Sequence, residues 1–360
     1  MKRSAVLAVI LAVALAGCQP PSEAGPAGPV AVTMPPAPAI LTVMTHDSFS
    51  ISAEALMEFE RANNAKVQFV KAGDAGTMLN KAILAKGNPL ADILFGVDNT
   101  YLSRALQEGV FEAYNAPALD SIPDKLRLDP ENRALPIDYG DVCLNYDKAY
   151  LAEHNLTPPD SLEDLTAPEY KGLVVVENPS TSSPGLAFLL TTVGVFGDPG
   201  YLDYWRDLAA NDVLVVDGWD TAYNTEFSGS AGHGARPIVV SYGSSPVAEV
   251  IYASTPVDQP PTAAVVADGT CFRQVEFAGI LYGTANRELA EAWIDFMLSP
   301  TFQEDMPLQM FVFPANPLAK LDPLFEEFLA EPDRPVTVDA DDIETHREEW
   351  INAWREVVLR

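Results

Sequence analysis

Short apolar runs alternate with amphipathic stretches along most of the chain. Ile40 to Met44 is a continuous apolar run, the pattern of a buried strand, and the polar loop Thr45-His46-Asp47-Ser48-Phe49-Ser50 follows it. Ala53 to Asn63 sets Leu56, Met57 and Phe59 among charged neighbours at helical spacing. Lys66 to Val70 predicts a second strand, Gly73 to Thr77 a turn and Met78 to Ala85 a helix. Ala91 to Gly96 predicts a third strand that ends in Val97-Asp98-Asn99-Thr100, with a helix from Tyr101 to Gln107. This alternation predicts an α/β fold with a mostly parallel sheet. In such sheets the polar loops at the carboxyl ends of the strands share one edge, so all three loops should face a common crevice.

The stretch Gly172 to Leu190 repeats the pattern in compact form. Leu173 to Val176 is a β-branched strand, Asn178 to Gly185 a loop rich in Ser, Thr and Pro, and Leu186 to Leu190 the start of an apolar helix. Free N–H groups at a helix N-terminus can hold an anion or a polar ligand head. The same hydroxyls can also serve only as helix caps. Further on, Leu135 to Tyr146 is extended in character, and Tyr201 to Ala209 predicts a helix. Val213 to Val216 and Pro237 to Ser241 predict strands, each ending in a polar or aromatic loop: Asp217 to Tyr223 and Tyr242 to Pro246. Gln274 to Gly279 predicts a return strand, Asn286 to Leu298 an amphipathic helix, Phe311 to Asn316 an extended piece, and Glu344 to Val358 a C-terminal amphipathic helix.

The N-terminus adds a compartment. Met1-Lys2-Arg3 precedes the apolar run Ala5 to Ala16, which is too short to span a bilayer and has the form of an export signal. It ends Leu15-Ala16-Gly17-Cys18, which resembles the lipobox of bacterial lipoproteins. That resemblance implies cleavage before Cys18 and lipidation of its thiol. Gln19 to Pro38, rich in Pro, Ala and Gly, reads as a tether.

The chain of 360 residues carries a formal charge of −29. So acidic a surface lacks the basic footprint that nucleic-acid binding needs, and it favours cationic small molecules near the surface without naming one. The four histidines are scattered, and the three cysteines have no metal-ligand spacing, so neither a metal site nor a cofactor is expected. Gly243-Ser244-Ser245-Pro246 lacks the second glycine of a nucleophile elbow, which argues against an exported hydrolase.

Taken in order, several segments resemble those of ABC-importer solute-binding proteins, and most closely the thiamine-binding family. They are Thr45-His46-Asp47-Ser48-Phe49, Phe95-Gly96-Val97-Asp98-Asn99, Asp138-Tyr139-Gly140 with Tyr146-Asp147-Lys148, Ser180 to Leu186, Gly218-Trp219 with Ala222-Tyr223, Ser241-Tyr242 with Ser245-Pro246, and Phe296 to Pro300 with Phe302-Gln303. The set covers nearly all of the chain from Ile40 to Arg360. The resemblance implies a two-lobed α/β periplasmic-binding-protein fold of type II. Each lobe would be a mostly parallel sheet flanked by helices, and two crossing strands would join them. The expected division is a signal at 1–17, lipidated Cys18 and tether at 18–38, lobe 1 from 39–137 with 275–318, lobe 2 from 138–274, and a C-terminal helical segment at 319–360. It further implies a monomeric, non-enzymatic capture module that is anchored outside the cytoplasm and delivers its ligand to a membrane permease.

A thiamine-like ligand carries a thiazolium cation, a flat aminopyrimidine and a hydroxyl or phosphate tail. Such a ligand asks for aromatic faces, carboxylates, and hydroxyls or free N–H groups. Trp219, Tyr223, Tyr242 and Phe311 are expected to give the faces, and Asp47, Asp74 and Asp98 the carboxylates. Ser180, Thr181 and Ser182 are expected to hold the tail, with Ser48 and Gly76 also at the ligand. Cys143 and Cys271 flank the expected crossing strands, and a disulfide is expected between them. Three positions depart from the family pattern: His46 stands for Tyr, Ala248 for an aromatic and Phe311 for Trp. Thiamine phosphates, thiamine precursors and other small cations such as a polyamine therefore stay open as ligands, with Glu249 or Tyr252 as compensating groups. Iron binders of the superfamily use adjacent tyrosines, and no Tyr-Tyr pair occurs.

Overall fold

A computed structural model describes residues 37–230 and 234–359. The export signal, the lipobox with Cys18 and most of the tether lie outside the described residues. In chain order the elements begin with β1 (Ala39–Thr45), α1 (Ala53–Asn63), β2 (Ala65–Lys71), α2 (Ala75–Leu84), β3 (Ile93–Asp98), α3 (Leu102–Gln107), β4 (Phe111–Glu112) and the long β5 (Leu135–Asp147). Then come α4 (Lys148–Glu153), β6 (Val174–Glu177), α5 (Ser183–Phe196), α6 (Gly200–Ala210), β7 (Leu214–Val216), the single turn α7 (Trp219–Thr221), β8 (Ile238–Tyr242), α8 (Ser245–Ile251), β9 (Thr262–Val265) and β10 (Phe272–Leu281). The chain ends with α9 (Arg287–Met297), α10 (Pro300–Met310), β11 (Phe313–Pro314), α11 (Pro323–Phe328) and α12 (Ala340–Val358).

Two strands organise the molecule. In the first lobe β1 lies between β2 and β3, all parallel, and β10 closes the set antiparallel to β3. In the second lobe β6 lies between β7 and β8, all parallel, and β5 runs antiparallel to β8. Strands β5 and β10 pair with each other from Phe272 opposite Val142 to Ala278 opposite Leu135, so the ladder passes from one lobe into the other through them. The register slips between Glu276 and Phe277, a bulge in the middle of the crossover. Just beyond the ladder Cys143 and Cys271 form a disulfide, with Cα atoms 4.3 Å apart.

Local chemistry explains the helix starts around the crevice. Ser52 caps α1 through the Ala55 N–H, and Asp74 caps α2 through the Ala75 N–H. Helix α5 is apolar and buried over most of its length, which fits a helix covered on all sides. Helix α10 has Pro307 in its interior and little amphipathic pattern, so the sequence alone gave no sign of it. Buried Gln303 holds it in place by donating to Ile137 O and Met297 O and accepting from the Asn316 N–H. That anchor sets Phe311, the left-handed residue after the helix, at the crevice.

Candidate functional site

A cavity of about 460 Å³ lies between the lobes. The first lobe supplies His46 to Ser50 after β1, Lys71 at the end of β2 and Asp74 at the start of α2. The second supplies Trp219, Tyr223, Tyr242 and Glu249. Glu276 of the crossover and the segment Gln309 to Val312 complete the wall. Its size and its mixture of rings and a few polar groups suit one small organic ligand.

The aromatic wall is layered. Trp219 and Tyr223 stack with centroids 5.1 Å apart and planes 10° from parallel, and Tyr242 stands tilted 6.5 Å from Trp219. Hydrogen bonds fix all three rings. Trp219 Nε1 donates to Ser241 Oγ at 2.9 Å, the Tyr223 hydroxyl to Glu249 at 2.8 Å and the Tyr242 hydroxyl to Gln274 at 3.0 Å. Across the mouth Tyr252 meets Phe311 edge-on at 5.6 Å. Ala248, with no ring of its own, leaves Glu249 and Tyr252 to line that side.

The charge balance of the wall is acidic. Among the described residues, Asp47, Asp74, Asp220, Glu249 and Glu276 face it against Lys71 alone of the lysines and arginines. Lys71 Nζ already donates to Asp47 O at 2.7 Å. His46 is buried, with its ring packed over Gly96, whose φ is +108° and which has no room for a side chain: a Cβ there would sit 2.3 Å from the imidazole. Burial, helped by the Lys71 charge, lowers the His46 pKa to about 4, so the ring is neutral at physiological pH. Burial raises the Glu249 pKa, against the hydrogen bond from Tyr223. Among the described residues no group of His, Cys, Asp and Glu side chains is arranged to hold a metal ion.

Of the expected ligand groups, Asp47, Ser48, Asp74, Trp219, Tyr223, Tyr242 and Phe311 line this cavity. The other five do not. Asp98 is turned into the protein, where Thr100 and Gln274 donate to it and burial raises its pKa to about 6. Gly76 is a close-approach point between the lobes: its N–H donates to Thr181 O at 2.9 Å. Thr181 Oγ1 donates to Asp217 O at 2.7 Å, and the Ser180 N–H is taken by Asn178 Oδ1. Buried Ser182 lies beside the Asp74 carboxyl. The hydroxyl loop is therefore an interlobe contact, and only Ser183 and Pro184 at the start of α5 reach the cavity.

Glu276 went unnoticed in the sequence, although a signal was present. A carboxylate inside the otherwise apolar run Val275-Glu276-Phe277-Ala278 is costly to bury and marks a site. Asp138, in Leu135-Pro136-Ile137-Asp138, carries the same signal and stands opposite it on β5.

A two-lobed α/β receptor with a cavity between its lobes defines a class, the periplasmic-type binding proteins. The chain belongs to the bacterial extracellular solute-binding proteins, whose family profile matches residues 88–346. It is an extracytoplasmic, non-catalytic component of an ABC importer, related to thiamine-binding proteins. The thiamine-binding periplasmic protein of Salmonella typhimurium is 31% identical over 326 residues, covering 89% of this chain and 94% of that protein. The protein of the same description from Brucella abortus is 28% identical over 319 residues, covering 87% and 90%. Among solved structures, a periplasmic thiamin binding protein superposes with a TM-score of 0.78 at 28% identity, over 90% of this chain and 97% of that one.

Proposed function

We propose that the protein captures thiamine, or a close thiamine relative, in the interlobe cavity and delivers it to an ABC permease. The observation that carries this reading is the pairing of a stacked aromatic wall, Trp219 on Tyr223, with carboxylates and almost no opposing cation. Ring faces attract a flat cation, and the attraction grows when water is excluded. Similarity to thiamine-binding proteins over most of the chain supports the same ligand class. Lobe closure about the β5–β10 crossover is the motion that would present the loaded form to the permease. Lipidation at Cys18 and a tether through residue 38 would keep the monomer at the membrane surface.

Thermal shift and calorimetry with thiamine, thiamine monophosphate, the separate pyrimidine and thiazole halves, and spermidine test the reading. Bound ligand raises the melting temperature by linkage. Thiamine should give the largest shift. A response to spermidine alone would make the protein a polyamine receptor, and no response to any thiamine-type compound would end the vitamin reading.

A further inference from the structure

Three buried carboxyls sit behind the aromatic wall where the lobes cross. Asp98 ends β3, Asp138 lies on β5 and Glu276 on β10, and the register sets Glu276 opposite both of the others. Asp138 is fully buried, and neither of its oxygens receives an N–H or O–H from a neutral donor. Its neighbour is the Glu276 carboxyl, set directly opposite it by the β5–β10 register. Two buried carboxyls set against each other, with no donor or cation on Asp138, hold a proton between them, because ionising both would leave two like charges unneutralised in one buried site. Glu276 also reaches the cavity wall, beside the β-bulge that interrupts the ladder at Phe277.

The groups around the pair leave that proton without a substitute. His46, at the end of β1, brings Nε2 to 3.8 Å from Glu276 Oε1, but its ring is buried and neutral. Asp98 and Asp74 add negative field from β3 and α2. The Tyr242 hydroxyl, from β8, is committed to Gln274. Lys71 is turned to Asp47 O.

We propose that the Asp138–Glu276 pair is a proton-exchange seat: it holds one proton in the ligand-free protein and releases it when the cationic head of a ligand enters beside Glu276. The inference rests on the cation-site reading above and adds a coupling to it. In the exchange one carboxyl O–H bond breaks, its electron pair stays on the carboxylate, the ligand cation takes the place of the proton charge, and the proton passes to buffer through the cavity mouth. No other bond changes.

Two measurements test this. The first uses the ligand-free protein at pH 7 and its infrared spectrum. A protonated, buried carboxyl should give a C=O band that is present in the wild type and lost in Glu276→Gln, whose amide donates to Asp138 without a shared proton. Asp138→Asn is the second variant should the first fail to fold. A wild type without the band overturns the proposal whatever ligand the protein takes. The second is calorimetry with thiamine at pH 7 in phosphate and in Tris, buffers of different ionisation enthalpy. The wild type should release up to about one proton per cation bound, with affinity rising by up to about tenfold per pH unit, and the Gln variant should release none. Thiamine binding with no buffer dependence overturns the exchange and leaves the vitamin reading standing. If thiamine fails to bind, spermidine replaces it as the cation probe. Failure of both removes the exchange together with the cation-site reading.

Discussion

The Asp74 carboxylate caps α2 in the first lobe through the Ala75 N–H and accepts the Trp219 backbone N–H of the second lobe at 3.2 Å. One side chain thus starts a helix, bridges the lobes and positions the indole that forms the cavity wall. A hydrogen bond to a charged group contributes about 1.5–3 kcal/mol, and a helix cap about 1 kcal/mol. Asp74→Ala should therefore weaken thiamine binding by about tenfold or more while lowering the melting temperature only moderately. Asp74→Asn keeps one acceptor oxygen where the carboxylate offers two, so with that oxygen turned to the Trp219 N–H it gives up the Ala75 cap and should retain part of the affinity. Calorimetry on the two variants checks this. Equal affinities for Ala and Asn would mean that the interlobe bond contributes nothing to capture.

Gly76 gives a steric test of the same closure. A Cβ at this position would lie 2.7 Å from the Tyr101 hydroxyl, 2.9 Å from Ser180 O and 3.0 Å from Thr181 O. Two of those atoms belong to the opposite lobe's backbone, which cannot rotate away as a side chain can. Gly76→Ala should fold normally, because the glycine lies in a helix where alanine is favoured. It should nevertheless hold the lobes apart, with lower ligand affinity and a larger radius of gyration in solution scattering with saturating thiamine. A compact variant of unchanged affinity would remove the role assigned to this contact.

The hydroxyl-rich loop shows where sequence reading reached its limit. The strand at Val174–Glu177 and the helix after it follow from local pattern, as do β1 to β3 and their helices, because each element buries a continuous or periodic apolar face. The ring positions Trp219, Tyr223 and Tyr242 follow strand ends, which places them at the crevice. Ser180 to Ser182 also follow a strand end, yet they face the other lobe, since which edge of a loop meets a ligand depends on how two distant segments dock. Asp98 failed as a cavity residue for a related reason. Its polar partners, Thr100 two residues on and Gln274 from the crossover, turn it inward, and only the first of these is local. Strand β9, helix α8 and the turn at Trp219 to Glu226 are short elements whose formation depends on tertiary packing.

The same displacement of the hydroxyl loop sets an order among thiamine forms. A phosphate tail needs cations or free donors, but Lys71 is committed to Asp47 O, His46 is neutral and the wall carries several carboxylates. Thiamine should bind more tightly than thiamine monophosphate, by about tenfold or more if one extra like-charge contact remains within the cavity. Competition calorimetry at fixed ionic strength measures the ratio. Equal affinity would mean that the start of α5, through Ser183, accepts the phosphate after all.

The buried carboxyls also fix the sign of the pH dependence of stability. Burial raises the Asp98 pKa from 3.8 to about 6 and that of Asp138 from 3.8 to about 7, and it raises Glu276 well above its ordinary value. As pH rises from below 4 the unfolded chain ionises these groups first, while the folded protein still holds their protons. The folded state therefore binds more protons through this window, and the contribution of Asp98 and Asp138 to stability falls as pH rises through their folded values of about 6 and about 7. Asp138→Asn removes one of the three and gives Glu276 a neutral amide partner. The melting temperature of the variant minus that of the wild type should thus grow from pH 4 to pH 8, measured without ligand at constant ionic strength. A difference that stays constant with pH would show that Asp138 ionises in the folded protein as it does in the unfolded chain, and the crossover would then contain no raised carboxyl at that position.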